Sequence, residues 1–215
     1  EVTDETFENQ RQAVKEEKAM RIDNVPARCA EVKEAVQTHT GIVEGTYYRD
    51  EGWIFYQLGR MLERADQTTR LLDVKYHILL PTPAEVGSPL DISQWNAVLR
   101  SAAGYHGYRR LHPRGVDPGL VAEFLLFNRL FPRSVAVCVG NADELVHTLK
   151  SRFRLRRGNE VLELLDELRA DLESRSAKAI MRDGLHEFLD QLQAALNTVS
   201  LSIGKAFFGY APADA

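Results

Sequence analysis

The sequence predicts an all-α protein, an irregular antiparallel bundle of six to eight helices. Three observations carry that expectation. Apolar residues recur at spacings of three and four in segment after segment, the period of a helix with one buried face. No segment alternates apolar and polar residues as a half-buried strand does. Proline, glycine and short polar residues stand where such helices start and stop. At 215 residues and 44% hydrophobic content, the chain is long and apolar enough for a sizeable core.

The longest periodic stretch is Asp50 to Leu80. Asp50 is placed to cap it, with its carboxylate accepting amide protons of the first turn, and Glu51 suits the positive end of the helix dipole. At about 100° per residue, Ile54, Leu58, Met61, Leu62, Ala65, Leu72, Tyr76 and Leu79 share one face. Trp53, Tyr56, Leu71 and Val74 lie opposite, among Arg60, Glu63, Arg64 and Arg70. A helix apolar on both sides is expected to be packed on more than one. Its charges are spaced to pair, Arg60 with Glu63 at i,i+3 and Asp66 with Arg70 at i,i+4. Two readings stay open: a buried ion-pair network centred on Glu63 that fixes how helices dock, or a ligand site.

Before that stretch, Glu5 to Met20 is a weakly amphipathic helix, and Val25, Cys29, Val32 and Val36 stripe a better one, with Pro26 in its first turn and Gly41 at its stop. After it, PTPAEVGSPL is a loop. Asp91 is expected to cap a helix running to about Leu111, with Trp95, Leu99 and His106 on one face. Asp117 and Pro118 start the next, and Leu120 to Phe131, apolar almost all round, is expected deep in the core. Pro132 or Ser134 opens a helix striped by Val135, Cys138, Ala142, Leu145 and Leu149. Asn159 is expected to cap another, and a last long helix runs from about Asp183 to Phe207. Cys29 and Cys138 both fall at apolar helical positions and read as reduced core thiols.

Composition excludes several classes. A net charge of −4 gives no general reason to bind nucleic acid, and no apolar run is long enough to span a membrane. The polar, acidic start EVTDETFENQ does not resemble a signal peptide, so a cytoplasmic protein is expected. A phosphate loop and a Gly-x-Ser-x-Gly elbow are missing. One Glu-x-x-His, Glu144 to His147, stands where a di-iron bundle needs two, so no metal or other cofactor is expected. The basic run KSRFRLRR, Lys150 to Arg157, reads as a solvated patch at a helix end. Around His106, the residues Tyr105, Tyr108, Arg109, Arg110 and His112 read either as a pocket for an anion or as a core histidine among surface arginines.

LGRMLERADQTTRLLDVKYH resembles the signature of the alpha-E domain family, an all-helical domain named for a Glu-Arg motif, here Glu63-Arg64. The similarity continues through DISQWNAVLRSAAGYHGYRRLH, DPGLVAEFLLFNRLFPRSVAVCV and GLHEFLDQLQAALNTV, and spans about Gly41 to Tyr210. It implies an N-terminal helical segment over 1–40 and an alpha-E-like domain over 41–215. Members are usually longer, with an earlier Glu-Arg helix, so one copy implies a truncated or shortened member. The resemblance also implies genomic association with circularly permuted ATP-grasp proteins and transglutaminase-like peptidases. From that company comes the expectation of a bacterial, non-catalytic partner or scaffold in a peptide-forming or peptide-modifying system. The alternative is a ligand-binding or catalytic module using Arg60, Glu63, Arg64, Arg70, His106 and Arg109 to hold a carboxylate or phosphate.

Overall fold

A computed structural model describes residues 24–77 and 87–210, with the side chains of Tyr76 and His77 outside that description. The expected Glu5–Met20 helix, the end of the central helix beyond His77, and most of the PTPAEVG loop lie outside the described residues. The chain divides into two units, Glu1–Arg49 and Asp50–Ala215.

In the first unit, α1 (Val25–Thr46) begins with Pro26 in its first turn, as expected. It does not stop at Gly41. The helix runs through that residue and ends at Tyr47, whose amide bonds the Val43 carbonyl. None of its residues is buried, and the stripe of Val25, Cys29, Val32 and Val36 is exposed. Cys29 is therefore an exposed thiol and not the core residue its apolar position suggests.

The second unit holds α2 (Glu51–His77), α3 (Pro89–Ser101), α4 (Tyr105–Leu111), α5 (Pro118–Phe127), α6 (Val135–Ser151), α7 (Asn159–Ser174), α8 (Ala177–Asp183) and α9 (Leu185–Ile203), then a π-helical turn at Gly204–Phe208. No strand occurs among the described residues, and the protein is all-α. Asp50 caps α2 as its position predicts, Oδ1 accepting from the Trp53 amide at 3.1 Å. The predicted face is the buried one: Ile54, Leu58, Met61, Leu62, Ala65 and Leu72 all lie in the core. Each fully buried leucine contributes about 1.5–3 kcal/mol. Trp53 and Leu71 reach that core from the helix flanks, whereas Val74 faces water. α2 packs most extensively on α6, next on α9, and more lightly on α3 and α5. It runs antiparallel to α9. Asp73 near its end meets His186 at the start of α9, and Phe55 near its start meets Phe207 past the end of α9.

The long helix expected from Asp91 to Leu111 is two helices. α3 ends in a Schellman turn, with the Gly104 amide bonding the Leu99 carbonyl at 2.7 Å and the Ala103 amide bonding Arg100 at 3.0 Å. Ala103 sits left-handed at the position glycine usually takes, φ 55°. Glycine comes one residue later for want of space: a Cβ on Gly104 would stand 2.9 Å from the Phe124 ring. The cap of α3 is Ser88, whose Oγ accepts from the Asp91 amide, so Asp91 is freed for another role. Asp117 caps α5 as read from the sequence, and of the two starts offered for α6, Pro132 or Ser134, Ser134 is the cap. The core segment from Leu120 is helical only to Phe127, and Leu130 is exposed. Asn159 is the first residue of α7, behind a left-handed Gly158. The last helix starts at Leu185, because Gly184 at φ 129° separates it from the short α8.

Candidate functional site

α2 and α9 meet along a seam, and toward the start of α2 that seam opens into a groove of about 450 Å³. Its floor is apolar, with Phe55, Leu58 and Leu62 from α2 and Leu196 and Ile203 from α9. Its rim is polar: Glu63, Asp66 and Arg70 on one side, Asn197 and Ser200 on the other. The spacing explains the layout. Residues 55, 58–59, 62–63, 66 and 70 recur every three or four positions, so one edge of α2 lines the groove while the next edge enters the core. Phe208, in the π-helical turn, closes one end; it stacks edge-on against Phe55 at 5.1 Å and is 57% exposed. Gly59 contributes bare backbone, and a Cβ there would touch nothing within 4 Å.

Glu63 is exposed at the mouth of this groove. It is not the buried hub expected from its neighbours. It accepts a hydrogen bond from Gln67 Nε2 at 3.4 Å, while Arg60 donates to Gln57 at 3.2 Å and lies over the Tyr56 ring. The expected Asp66–Arg70 pair forms, Nε to Oδ2 at 2.6 Å, and the Asp66 bond holds the Arg70 guanidinium above its ordinary pKa. Arg64 is half-buried on the other side of α2. Its charge reaches Cys138 of α6, whose thiol is pushed up to about 11 by burial against the opposing pull of Arg64 and Arg133. The Glu-Arg motif is thus divided: successive residues diverge by about 100° around a helix, so Glu63 faces the groove and Arg64 faces α6.

His106 is exposed on α4 and Arg109 half-buried; neither lines the groove. The buried residue of that helix is Tyr108, whose hydroxyl accepts from the Asp117 amide at 3.1 Å. Burial raises the pKa of that phenol. Glu144 and His147 are both exposed on α6, and His147 approaches Asp143 at 3.6 Å. Asp143 is buried and takes a 2.9 Å bond from Arg169 of α7. In the basic run, Lys150 in the last turn of α6 bonds Asn159, and Arg152 lies over the Phe153 ring.

Two charged clusters escape the sequence reading. Lys75 is buried in α2 and bonds Asp91 Oδ1 and Gln94 Oε1, both at 2.8 Å, with the Trp95 ring 5.3 Å from its ammonium. Burial pushes the Asp91 carboxyl up, but the Lys75 bond, the Gly87 amide and the Lys75 charge together hold it below the usual range. His186 lies between two carboxylates, Nδ1 2.8 Å from Asp73 and Nε2 3.3 Å from Asp190. The Asp73 bond raises its pKa, against burial and with help from the charge of Asp190. The i,i+4 spacing of His186 and Asp190 is legible in sequence; the approach of Asp73 and of Lys75 to Asp91 is not, since each joins two helices.

The family model of Alpha-E, a predicted alpha-helical domain with a conserved ER motif, matches residues 1–208 of the 215-residue chain. The chain belongs to the Alpha-E family. The match takes in the N-terminal unit as well as the helices around the groove, whereas the sequence resemblance began near Gly41. No curated protein and no solved structure matches the chain. Among the described residues of this Alpha-E chain, no helix is long and apolar enough to cross a membrane.

Proposed function

We propose that this Alpha-E domain is a non-catalytic partner or scaffold in a bacterial, cytoplasmic peptide-forming or peptide-modifying system, and that an ATP-grasp or transglutaminase-like protein docks in the α2–α9 groove. The observation that carries the groove assignment is the placement of Glu63. The glutamate of the family motif stands at the mouth of an open groove with an apolar floor, where a partner side chain buries apolar area and the rim orients it. The identity of the partner rests on family company.

The rim favours one class of occupant. Glu63 and Asp66 bring two carboxylates, and Arg70 is engaged with Asp66. An apolar segment flanked by lysine, arginine or amide groups complements that surface. The alternative, a module gathering Arg60, Arg64, Arg70, His106 and Arg109 around a carboxylate or phosphate, has less support. Of these five only Arg70 lines the groove, and an anion there meets the rim carboxylates.

Gly59→Arg provides the test. The position is exposed mid-helix with open space around its Cβ, so a long side chain fills the groove without entering the core. ATP-grasp and transglutaminase-like proteins encoded in the same genome are titrated calorimetrically against wild type and the variant. Binding by wild type and at least tenfold weaker binding by Gly59→Arg is the expected result. If neither protein binds wild type, the partner assignment is wrong; equal binding by both forms moves the interface off the groove.

A further inference from the structure

We propose that His186 and Asp190, one turn apart on α9, form a binding site for a divalent first-row transition ion, with Asp73 of α2 as the positioning residue. The site lies on the same helix pair as the groove but toward the other end of the seam, and stands independently of the groove's function.

The geometry is that of a chelate. Residues at i and i+4 project from one helix face, the spacing by which helical metal sites present two ligands. His186 Nε2 and Asp190 Oδ2 stand 3.3 Å apart. Two ligands of a tetrahedral ion with bonds of about 2.0–2.1 Å are separated by about 3.3–3.4 Å. The pair is therefore already at chelating distance, before either side chain moves.

Asp73 supplies the orientation. Its Oδ1 is 2.8 Å from His186 Nδ1. In the neutral ring with its proton on Nδ1, shared with that carboxylate, Nε2 offers its lone pair on the side of Asp190. This carboxylate–imidazole–metal relay is how proteins fix the tautomer and ring angle of a ligating histidine. Three chemistry-bearing atoms, one from each residue, lie within 4.8 Å of one another. Asp73 and His186 are about three-quarters buried, and Asp190 is more open, which leaves the outer coordination positions to water or to an incoming carboxylate.

The donor set selects the ion. Two carboxylates around the imidazole make the site acidic, which attracts a cation in competition with a ring proton. Magnesium favours an all-oxygen octahedron and keeps its waters. An imidazole nitrogen shifts preference toward zinc, cobalt or nickel.

Zinc chloride is the probe, titrated calorimetrically into the full chain at pH 7.5 with millimolar magnesium present. One zinc per chain is expected, lost in His186→Gln and weakened at least tenfold in Asp190→Asn. Asp73→Asn, which leaves both ligands in place, weakens it about 10–100-fold. His147→Gln removes an exposed histidine on α6 and leaves binding unchanged. Circular dichroism checks that each variant is folded, and Asp190, exposed, supplies the decision if His186→Gln unfolds. Absence of zinc uptake by wild type overturns the site. So does retention of wild-type affinity in Asp190→Asn and His186→Gln, which would place the ion on other histidines of the six in the chain.

Discussion

Lys75 and Asp91 form a buried ion pair between α2 and α3, with side chains 2% and 4% exposed. Each is tolerable in the interior because the other is there. Gln94 and the Gly87 amide take up further hydrogen-bonding capacity, and the Trp95 face lies beside the ammonium. Removing one partner leaves the other charge stranded. Lys75→Met is expected to destabilise the protein by about 3–5 kcal/mol, read by chemical denaturation. Lys75→Met with Asp91→Leu removes both charges and is expected to recover a large part of that loss, since two apolar groups need no pairing. The pH dependence follows from the direction of the Asp91 shift. Its folded pKa lies below the ordinary carboxylate value. The stabilisation it brings is present above its unfolded pKa of about 3.9, and is lost as pH falls through the folded value. Wild type should therefore lose more stability than the double variant between about pH 4 and pH 2. Equal acid profiles would count against the pair. An aspartate near a helix start is expected to cap it, but Ser88, three residues earlier, holds that position and leaves Asp91 to Lys75.

At the scale of elements, some caps and the buried stripe of α2 were legible, while the caps expected of Asp91 and Asn159, the stripe of α1 and the junctions were not. Asp50, Asp117 and Ser134 cap helices because a short polar side chain satisfying a first-turn amide is a local event, decided within four residues. The breaks at Gly104 and Gly158 answer to distant partners, whereas the crowding at Gly184 is local, from Glu187. Gly158 is the sharpest instance. It is left-handed at φ 96°, and a Cβ there would stand 2.6 Å from the Phe207 ring, almost fifty residues away. Phe207 in turn stacks edge-on against Phe55 of α2 at 5.2 Å, so the start of α7 is tied through one ring to the start of α2. Gly158→Ala meets both penalties, left-handed backbone at about 1–2 kcal/mol and a forced shift of packed rings at about 1–3 kcal/mol. A loss of roughly 2–5 kcal/mol is expected in denaturant melts. Ala103→Gly relieves left-handed strain and is expected to be neutral or slightly stabilising. If Gly158→Ala proves as mild as Ala103→Gly, the ring contact does not constrain the turn.

At the scale of the whole molecule, the all-α class and the buried face of α2 were readable because burial imposes a period on the chain. The role of Glu63 was not. Arg60, Arg64 and Arg70 surround it in sequence, and proximity along a helix reads as a network. The outcome depends on what stands beside each edge of α2. α6 takes the side bearing Arg64, while α9 leaves a groove on the side bearing Glu63. Exposure then reverses the expected effect of mutation. A buried glutamate between arginines would cost several kcal/mol to remove. An exposed one held by a 3.4 Å contact with Gln67 costs little, and surface changes of this kind stay within about 0.5 kcal/mol. Glu63→Ala should melt within about 2 °C of wild type. Glu63→Arg should also fold, since its side chain extends into the groove mouth and not into the core. The two variants part in binding. If the rim charge selects a basic segment, Glu63→Ala weakens partner binding moderately, and Glu63→Arg, which turns the rim from acidic to basic, weakens it further and reverses its salt dependence. A melting temperature lowered by ten degrees or more in Glu63→Ala would return Glu63 to a structural role. Unchanged binding in Glu63→Arg would remove the rim charge from recognition and leave the apolar floor as its basis.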